Sequence, residues 1–426
     1  LASAATCAAL AGVGAGADAA KRPNIVIILA DDLGWNAIGY HNPEVATPHI
    51  DTRLRAAGIE LDNFYVSPMC SPTRAGTLTG RYPIRYGCAR SVIPPWRDFG
   101  VPTEEVLLAA ALEKAGYARR GAFGKWHLGH SRKRWLPRAR GFTEFYGCYN
   151  GAIDYFTQER DGERDWHDNE ETSADQGYAT DLTAARAAKF IRDAAGKAEP
   201  FFCYVAFNAP HSPLQAPEAY LERYAALKLP AKQTYFAMIT AMDEGVGKVL
   251  DAIDAAGVAD DTLVWFLSDN GGVGNLPRNN EPLHGSKLTV YEGGVRSVSC
   301  LRYPRGFPGQ RKVSERIAFI DVVPTVLGLA GLTAEAAGCK PLDGVDVGPL
   351  LSGTVAQLPE RPLYFYHGQS GPQEEHIAVY SEGWKLVVQG PSIANGIGEG
   401  NVVELYALDS DPNETAEVAS AHPEVV

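Results

Sequence analysis

Four short apolar runs along this chain each end abruptly in polar residues, and the stretches between them carry helical punctuation. The run Asn24–Ala30 is apolar from its second residue on, without alternation, as in strands buried on both faces of a parallel sheet. It delivers Asp31 and Asp32. Tyr117 to Phe123 leads into Gly124-Lys125-Trp126-His127, and Phe201 to Phe207 into Asn208-Ala209-Pro210-His211. Thr262 to Leu267 leads into Ser268-Asp269-Asn270-Gly271-Gly272. Between these runs, Thr103 predicts a helix cap followed by Glu104-Glu105 and a helix to Gly116, and a longer helix is expected from about Gln233 to Gly257. Alternating strands and helices predict an α/β fold, a large and mostly parallel sheet sandwiched by helices. Ligands of such sheets sit beyond the carboxyl ends of the strands, where all four polar clusters fall. Asp31, Asp32, Asp269, Asn270, Lys125, His127 and His211 are therefore expected around one crevice.

Past about Leu351 the pattern changes to short strands with turns between them. Pro362 to His367, His376 to Tyr380, Trp384 to Val388 and a stretch from Glu404 to Pro412 predict a small antiparallel sheet. The expected organisation is a catalytic domain over residues 21–351 and an antiparallel subdomain over residues 352–426. Residues 1–20 are nearly all Ala, Gly, Leu, Val and Ser, and read as the apolar region and cleavage site of a signal peptide. Cys7 is preceded by a poor match to a lipid-attachment sequence. No other apolar stretch is long enough to span a bilayer, so a periplasmic or secreted protein is expected, or a lysosomal one in a eukaryote.

The 426 residues, 45% hydrophobic and 21% charged, have an ordinary globular composition. A net charge of −12 repels polyanions and argues against nucleic acid as a partner, so an acidic substrate must be met by local positive charge. One candidate is the basic run Arg132, Lys133, Arg134, Arg138 and Arg140, which begins five residues after His127 and is expected near the mouth of the crevice. The alternative for such a run is a solvated face. Seven Cys without a CxxC pair indicate neither a zinc site nor a dense disulfide scaffold.

Cys70-Ser71-Pro72-Thr73-Arg74, followed by Gly80-Arg81-Tyr82-Pro83, reads as a helix start. Pro72 suits the first turn, and the free N–H groups there favour negative charge near residue 70. An isolated Cys is ordinarily buried and inert, but the rest of this chain argues for chemistry. Asp31, Asp32, Asp269 and Asn270 offer only oxygen ligands, which points to a hard cation such as Ca²⁺ or Mg²⁺ rather than zinc.

The pentapeptide has the form C-x-P-x-R and resembles the signature of the sulfatase family, in which the Cys is converted to Cα-formylglycine. Gly124-Lys125-Trp126-His127-Leu128-Gly129 looks like that family's second signature, and Asn208 to Gln215 like its central histidine segment. Asp269-Asn270-Gly271-Gly272, Leu283 to Lys287 and Tyr291 to Arg296 follow in family order. The resemblance runs from about Asn24 to Pro412 and implies an alkaline-phosphatase-like fold. Leu136 to Phe142, Asp154-Tyr155 and Pro341 to Asp346 resemble the arylsulfatase B type, which removes 4-sulfate from N-acetylgalactosamine.

The resemblance implies a role for each residue. Cys70, as formylglycine, becomes a geminal diol, one hydroxyl of which attacks sulfur. The second hydroxyl lets the sulfated intermediate collapse to aldehyde once His127 takes its proton. Arg74 holds the formylglycine oxygens and supports the ligand geometry, Lys125 and Lys287 neutralise sulfate oxygens, and His211 with Lys287 protonates the leaving alcohol. One Ca²⁺ per chain, ahead of Mg²⁺, is implied at Asp31, Asp32, residue 70, Asp269 and Asn270. A sulfated saccharide or aryl sulfate is the implied substrate, and a formylglycine-generating enzyme the partner in maturation. Asn150 and Asp154 compete for a further polar role, and Asn413-Glu414-Thr415 is a glycosylation sequon. Two other functions fit the same residues: a phosphonate or phosphodiester hydrolase, and a non-catalytic sulfoglycan-binding protein if Cys70 stays a thiol.

Overall fold

The strand Asn24–Ala30 lies near the middle of a ten-stranded sheet and is buried along its whole length. The computed structural model describes residues 22–197 and 199–426, so the expected leader and Cys7 lie outside the described residues. Ile25, Ile27 and Leu29 pack into the core on one face of this sheet, and Val26, Ile28 and Ala30 into the core on the other. That two-sided burial is why the run is apolar without alternation.

Five central strands are mutually parallel, in the order Thr262–Ser268, Asn24–Ala30, Phe201–Ala206, Arg119–Gly124 and Glu144–Gly147. On one side the sheet continues through Ser299–Arg302, Ile59–Leu61 and Arg311–Val313, and on the other through His167–Asp168 and Glu171–Thr172. Helices Ala179–Ala195 and Pro230–Ala255 contribute to one core. Helices Cys70–Thr79, Leu108–Lys114 and Val322–Leu329 contribute to the other.

The strands Leu363–His367, Glu375–Ser381, Trp384–Gly390 and Val402–Ala407 form the small antiparallel meander. A buried ion cluster joins it to the short helix Glu292–Val295, Lys385 Nζ lying 2.8 Å from both Glu292 and Glu414. Among the described residues no helix is long and apolar enough to cross a membrane, and every described Cys is unpaired.

The helix expected from Thr103 starts later, at Leu108, and Thr103 caps nothing. Pro102 to Glu105 closes a turn instead, through Glu105 N to Pro102 O at 3.1 Å. Glu105 is buried against Arg81 and Lys340, at 3.0 and 2.7 Å. A tertiary ion pair, invisible in local punctuation, takes the residues that resembled a first helical turn.

Candidate active site

Each polar cluster leaves its strand at the same end of the sheet, and backbone pairing continues past the strand ends. Asp269 N donates to Ala30 O (3.1 Å), Asp31 N to Ala209 O (3.1 Å) and Lys125 N to Ala206 O (2.7 Å). These bonds hold Asp31, Asp269, Lys125 and the segment before His211 in one plane of neighbours. Asp32 and His127 then turn out of that plane with left-handed backbones, φ 66° and 58°. Such values are uncommon outside Gly and recur where a site dictates side-chain direction.

Cys70 opens the Cys70–Thr79 helix, which is buried throughout. Its Sγ lies 3.3 Å from Asp31 Oδ1 and 4.0 Å from Asp32 Oδ1. One potential ligand atom from each of Asp31, Asp32, Cys70 and His211 falls within a 4.8 Å sphere of mutual distance. Asp269 stands beside this group: its Oδ1 accepts from Asp32 N at 3.3 Å and its Oδ2 from Arg74 Nε at 2.9 Å. Asn270 Nδ2 donates to Asp32 Oδ1 at 2.8 Å, while Asn270 Oδ1 is buried without a hydrogen-bond partner.

Three cations face the three carboxylates. Arg74, with no exposed surface, bonds Asp269 and the Lys125 carbonyl (3.0 Å) and lies 3.4 Å from Asp31. It links the Asp31 and Asp269 carboxylates. Lys125 pairs with Asp31, and Lys287 with Asp32 at 2.7 Å. Burial alone would raise the carboxyl pKa of Asp31, but Lys125, His211 and Arg74 outweigh it and hold the group well below the carboxylate range. Burial and the charge of Asp31 push the Cys70 thiol far up.

His127 is buried, and burial together with Lys125 and Arg74 lowers its pKa well below the ordinary imidazole value. Its Nδ1 has no partner. His211 is also lowered, by burial against the opposing pull of Asp32 and Asp31. Its Nδ1 meets the Ser212 carbonyl at 2.6 Å and its Nε2 lies 3.6 Å from Asp32. Cys70, His127, His211 and Lys287 share one pocket of about 280 Å³, closed on other sides by the Pro94-Pro95-Trp96 segment, Gly151, Arg160 and Gln369.

The sulfatase family model matches residues 23–332. The chain belongs to the sulfatase family. It is a sulfuric ester hydrolase. Arylsulfatase J of Mus musculus is 30% identical over 97% of this chain and 75% of its own length. N-acetylgalactosamine-6-sulfatase of Homo sapiens is 32% identical over 96% of this chain and 84% of its own. The crystal structure of Ps i-CgsB matches with a TM-score of 0.85 at 30% identity, covering 95% of this chain and 90% of that one. The same protein in complex with k-i-k-neocarrahexaose matches with a TM-score of 0.85. Membership holds for the family as a whole; the 4-sulfate specificity of the arylsulfatase B type is a separate question of substrate.

Two groups of polar residues singled out in the sequence do not line the sulfatase pocket. None of Arg132, Lys133, Arg134, Arg138 or Arg140 lines it. Arg132 pairs with Asp98 and Arg138 with Glu170 at 2.5 Å. Arg134 lies over Trp135, and Arg140 is buried on the carbonyls of Val101, Pro102 and Glu105. Four of the five side chains thus have protein partners. Asp154 is likewise occupied, accepting from Phe156 N, Thr157 N and Gln215 Nε2, and neither it nor Asn150 lines the pocket. Arg160 does line the pocket, beside Lys287. Its signal was Asp161-Gly162, a two-residue hairpin loop with φ of 54° and 87° that joins Glu159–Arg160 to Glu163–Arg164.

Proposed function

We propose that this sulfatase releases sulfate from a sugar through an oxygen nucleophile at residue 70, Cα-formylglycine made from Cys70, assisted by one divalent cation. The observation that carries the reading is the convergence of Cys70, Asp31, Asp32 and His211 within 4.8 Å, walled by Lys125, Lys287 and Arg74. A sulfated saccharide is the favoured substrate because one relative is named for N-acetylgalactosamine 6-sulfate and Ps i-CgsB binds a neocarrahexaose. Conversion of Cys70 requires a formylglycine-generating enzyme during maturation, and a periplasmic, secreted or lysosomal location accords with the apolar leader.

The donor set fits a hard cation. A buried carbonyl oxygen without a donor is costly unless positive charge compensates it, and Asn270 Oδ1 is such an atom. Asp31, Asp32, Asp269 and Asn270 would hold the ion, all through oxygen, which favours Ca²⁺ or Mg²⁺. Bound there, it would polarise oxygens of the substrate and of residue 70.

The remaining work falls to side chains. Burial and Asp31 raise the Asp269 pKa to about 7; ionised beside a bound cation, it would with Asp31 and Asp32 balance Arg74, Lys125 and Lys287, so a divalent ion and a sulfate monoanion together would leave net positive charge for the developing alkoxide. Lys125 and Lys287 would meet the sulfate oxygens from a buried setting, where a charge acts most strongly. His127 is held neutral by burial and by neighbouring cations, so it can accept the proton that lets the sulfated intermediate collapse. His211 lines the same pocket, and as the imidazolium that Asp32 and Asp31 favour it would protonate the departing alcohol.

Mass spectrometry of the Cys70 peptide, together with turnover of 4-nitrophenyl sulfate and 4-nitrophenyl phosphate, tests the reading. The expected result is an aldehyde in place of the thiol and a strong preference for sulfate. An unmodified thiol in active enzyme, or preference for phosphate, would overturn it.

A further inference from the structure

We infer that Trp96 and Arg160 form a subsite for the sugar next to the sulfated one, with Trp96 as a stacking platform and Arg160 as an anion contact. The inference rests on the proposed saccharide substrate and names the residues that select it.

Trp96 is 82% exposed, the most exposed large hydrophobic residue among those described, yet it borders the pocket that contains Cys70. An indole left in water contributes little to folding, and Trp is enriched at binding surfaces, where Leu and Val are not. Its position is fixed. Pro94 and Pro95 precede it, and Arg97 N closes a turn on Pro94 O at 3.1 Å. His130 Nε2 meets Pro95 O at 3.1 Å. Ile93 N donates to Ser71 Oγ at 3.1 Å, and Ser71 Oγ donates to the His127 carbonyl at 2.9 Å. The loop bearing Trp96 is thus tied through one hydroxyl to the residue beside Cys70 and to His127. The flat, weakly polar face of an indole suits the axial C–H face of a pyranose.

Arg160 stands on another wall. Its Nη1 donates to Ala152 O at 3.3 Å and its Nε pairs with Asp161 at 3.1 Å. Nη2 has no protein partner among the described residues, and the side chain is 29% exposed. One edge of a guanidinium therefore remains for a ligand, and its fork suits a sulfate or carboxylate. A pocket of about 280 Å³ lies at the small end for organic ligands, so a single sulfated pyranose fills it and any attached sugar must cross the rim. Trp96 and Arg160 are on that rim.

The test compares wild type, Trp96→Ala, Trp96→Phe and Arg160→Ala on 4-nitrophenyl sulfate and on a panel of chondroitin sulfate disaccharides and carrageenan-derived oligosaccharides. The expected readout is a ratio. Trp96→Ala should lower kcat/KM on the best saccharide about tenfold relative to 4-nitrophenyl sulfate, mostly through KM, with Trp96→Phe restoring much of it. Arg160→Ala should discriminate only against saccharides with a second anionic group, and the loss should shrink at high salt. Equal losses on both substrate types, no loss on saccharide, or a wild type that turns over the aryl sulfate but no saccharide would each overturn the subsite. A wild type that turns over no sulfate ester at all would instead overturn the proposed chemistry beneath it.

Discussion

A Cβ placed on Gly151 would lie 2.5 Å from Cε1 and Nε2 of His127. The imidazole takes the space that a side chain at residue 151 would need, and the helix-side anchor, Ser71 Oγ on the His127 carbonyl, fixes the other end of the residue. Gly151 does not have a positive φ, so alanine is allowed by the backbone, and the atoms nearest its Cβ are those of the ring. Gly151→Ala is expected to displace His127 and lower kcat on 4-nitrophenyl sulfate by on the order of 10²-fold, the lower range for losing a general base. The melting temperature should hardly move. A variant with the wild-type rate would remove His127 from the reaction.

Asp269 and Asn270 are adjacent but should fail differently. Asp269 neutralises Arg74, which is wholly buried, and removing one partner of such a pair costs about 3–5 kcal/mol. Asp269→Ala should therefore lose stability, bound metal and activity together. Asn270→Ala removes an oxygen that no protein donor uses, so metal content and chelator resistance should drop with a much smaller loss of stability, and excess Ca²⁺ should restore rate. Full metal content in Asn270→Ala, by elemental analysis, would contradict the assigned ligand set.

The central strands were legible because burial on both faces demands uninterrupted apolar residues, as Ile25 to Ala30 show. The polar residues after them were legible for the same reason: nothing about a parallel strand requires Asp31, Lys125 or Asp269 at its end. Long-range charge pairing was not. Arg132 meets Asp98 and Arg138 meets Glu170, partners more than thirty residues away, so a local run of basic residues gives no sign of what it pairs with. Trp96 and Gln369 reach the pocket from irregular segments, where periodicity carries no information. Arg160 could have been placed in a hairpin from Asp161-Gly162, but not beside Cys70, since that juxtaposition is tertiary.

Cys70→Ser separates the two halves of the proposed reaction. A serine at the start of the Cys70–Thr79 helix keeps an oxygen near Asp31 and Asp32 but lacks the second hydroxyl needed for collapse. The expected outcome is at most one turnover, with sulfate left covalently on residue 70 and detectable on the peptide by mass. Sustained turnover by the serine variant would refute the formylglycine route.

Asp243 ties the long Pro230–Ala255 helix to the segment before Ile50, accepting from His49 N at 3.0 Å and Ile50 N at 2.8 Å. It is fully buried, and burial, outweighing those two hydrogen bonds and aided by Asp51 and Glu244, raises its pKa from 3.8 to about 7. The folded state therefore binds a proton that the unfolded state has released between about pH 4 and pH 7, so this group stabilises the fold increasingly as pH falls through that window. Above pH 7 it is charged in both states, and the fold bears the full cost of burying it, at most about 4 kcal/mol at 1.36 kcal/mol per pKa unit. Asp243→Asn makes the neutral state permanent. Its amide satisfies only one of the two N–H groups, but that loss is the same at every pH and cancels in a comparison. The difference in Tm between variant and wild type should therefore be more favourable to the variant at pH 8 than at pH 5. An identical difference at both values would show that Asp243 is ionised throughout, held by its two backbone donors.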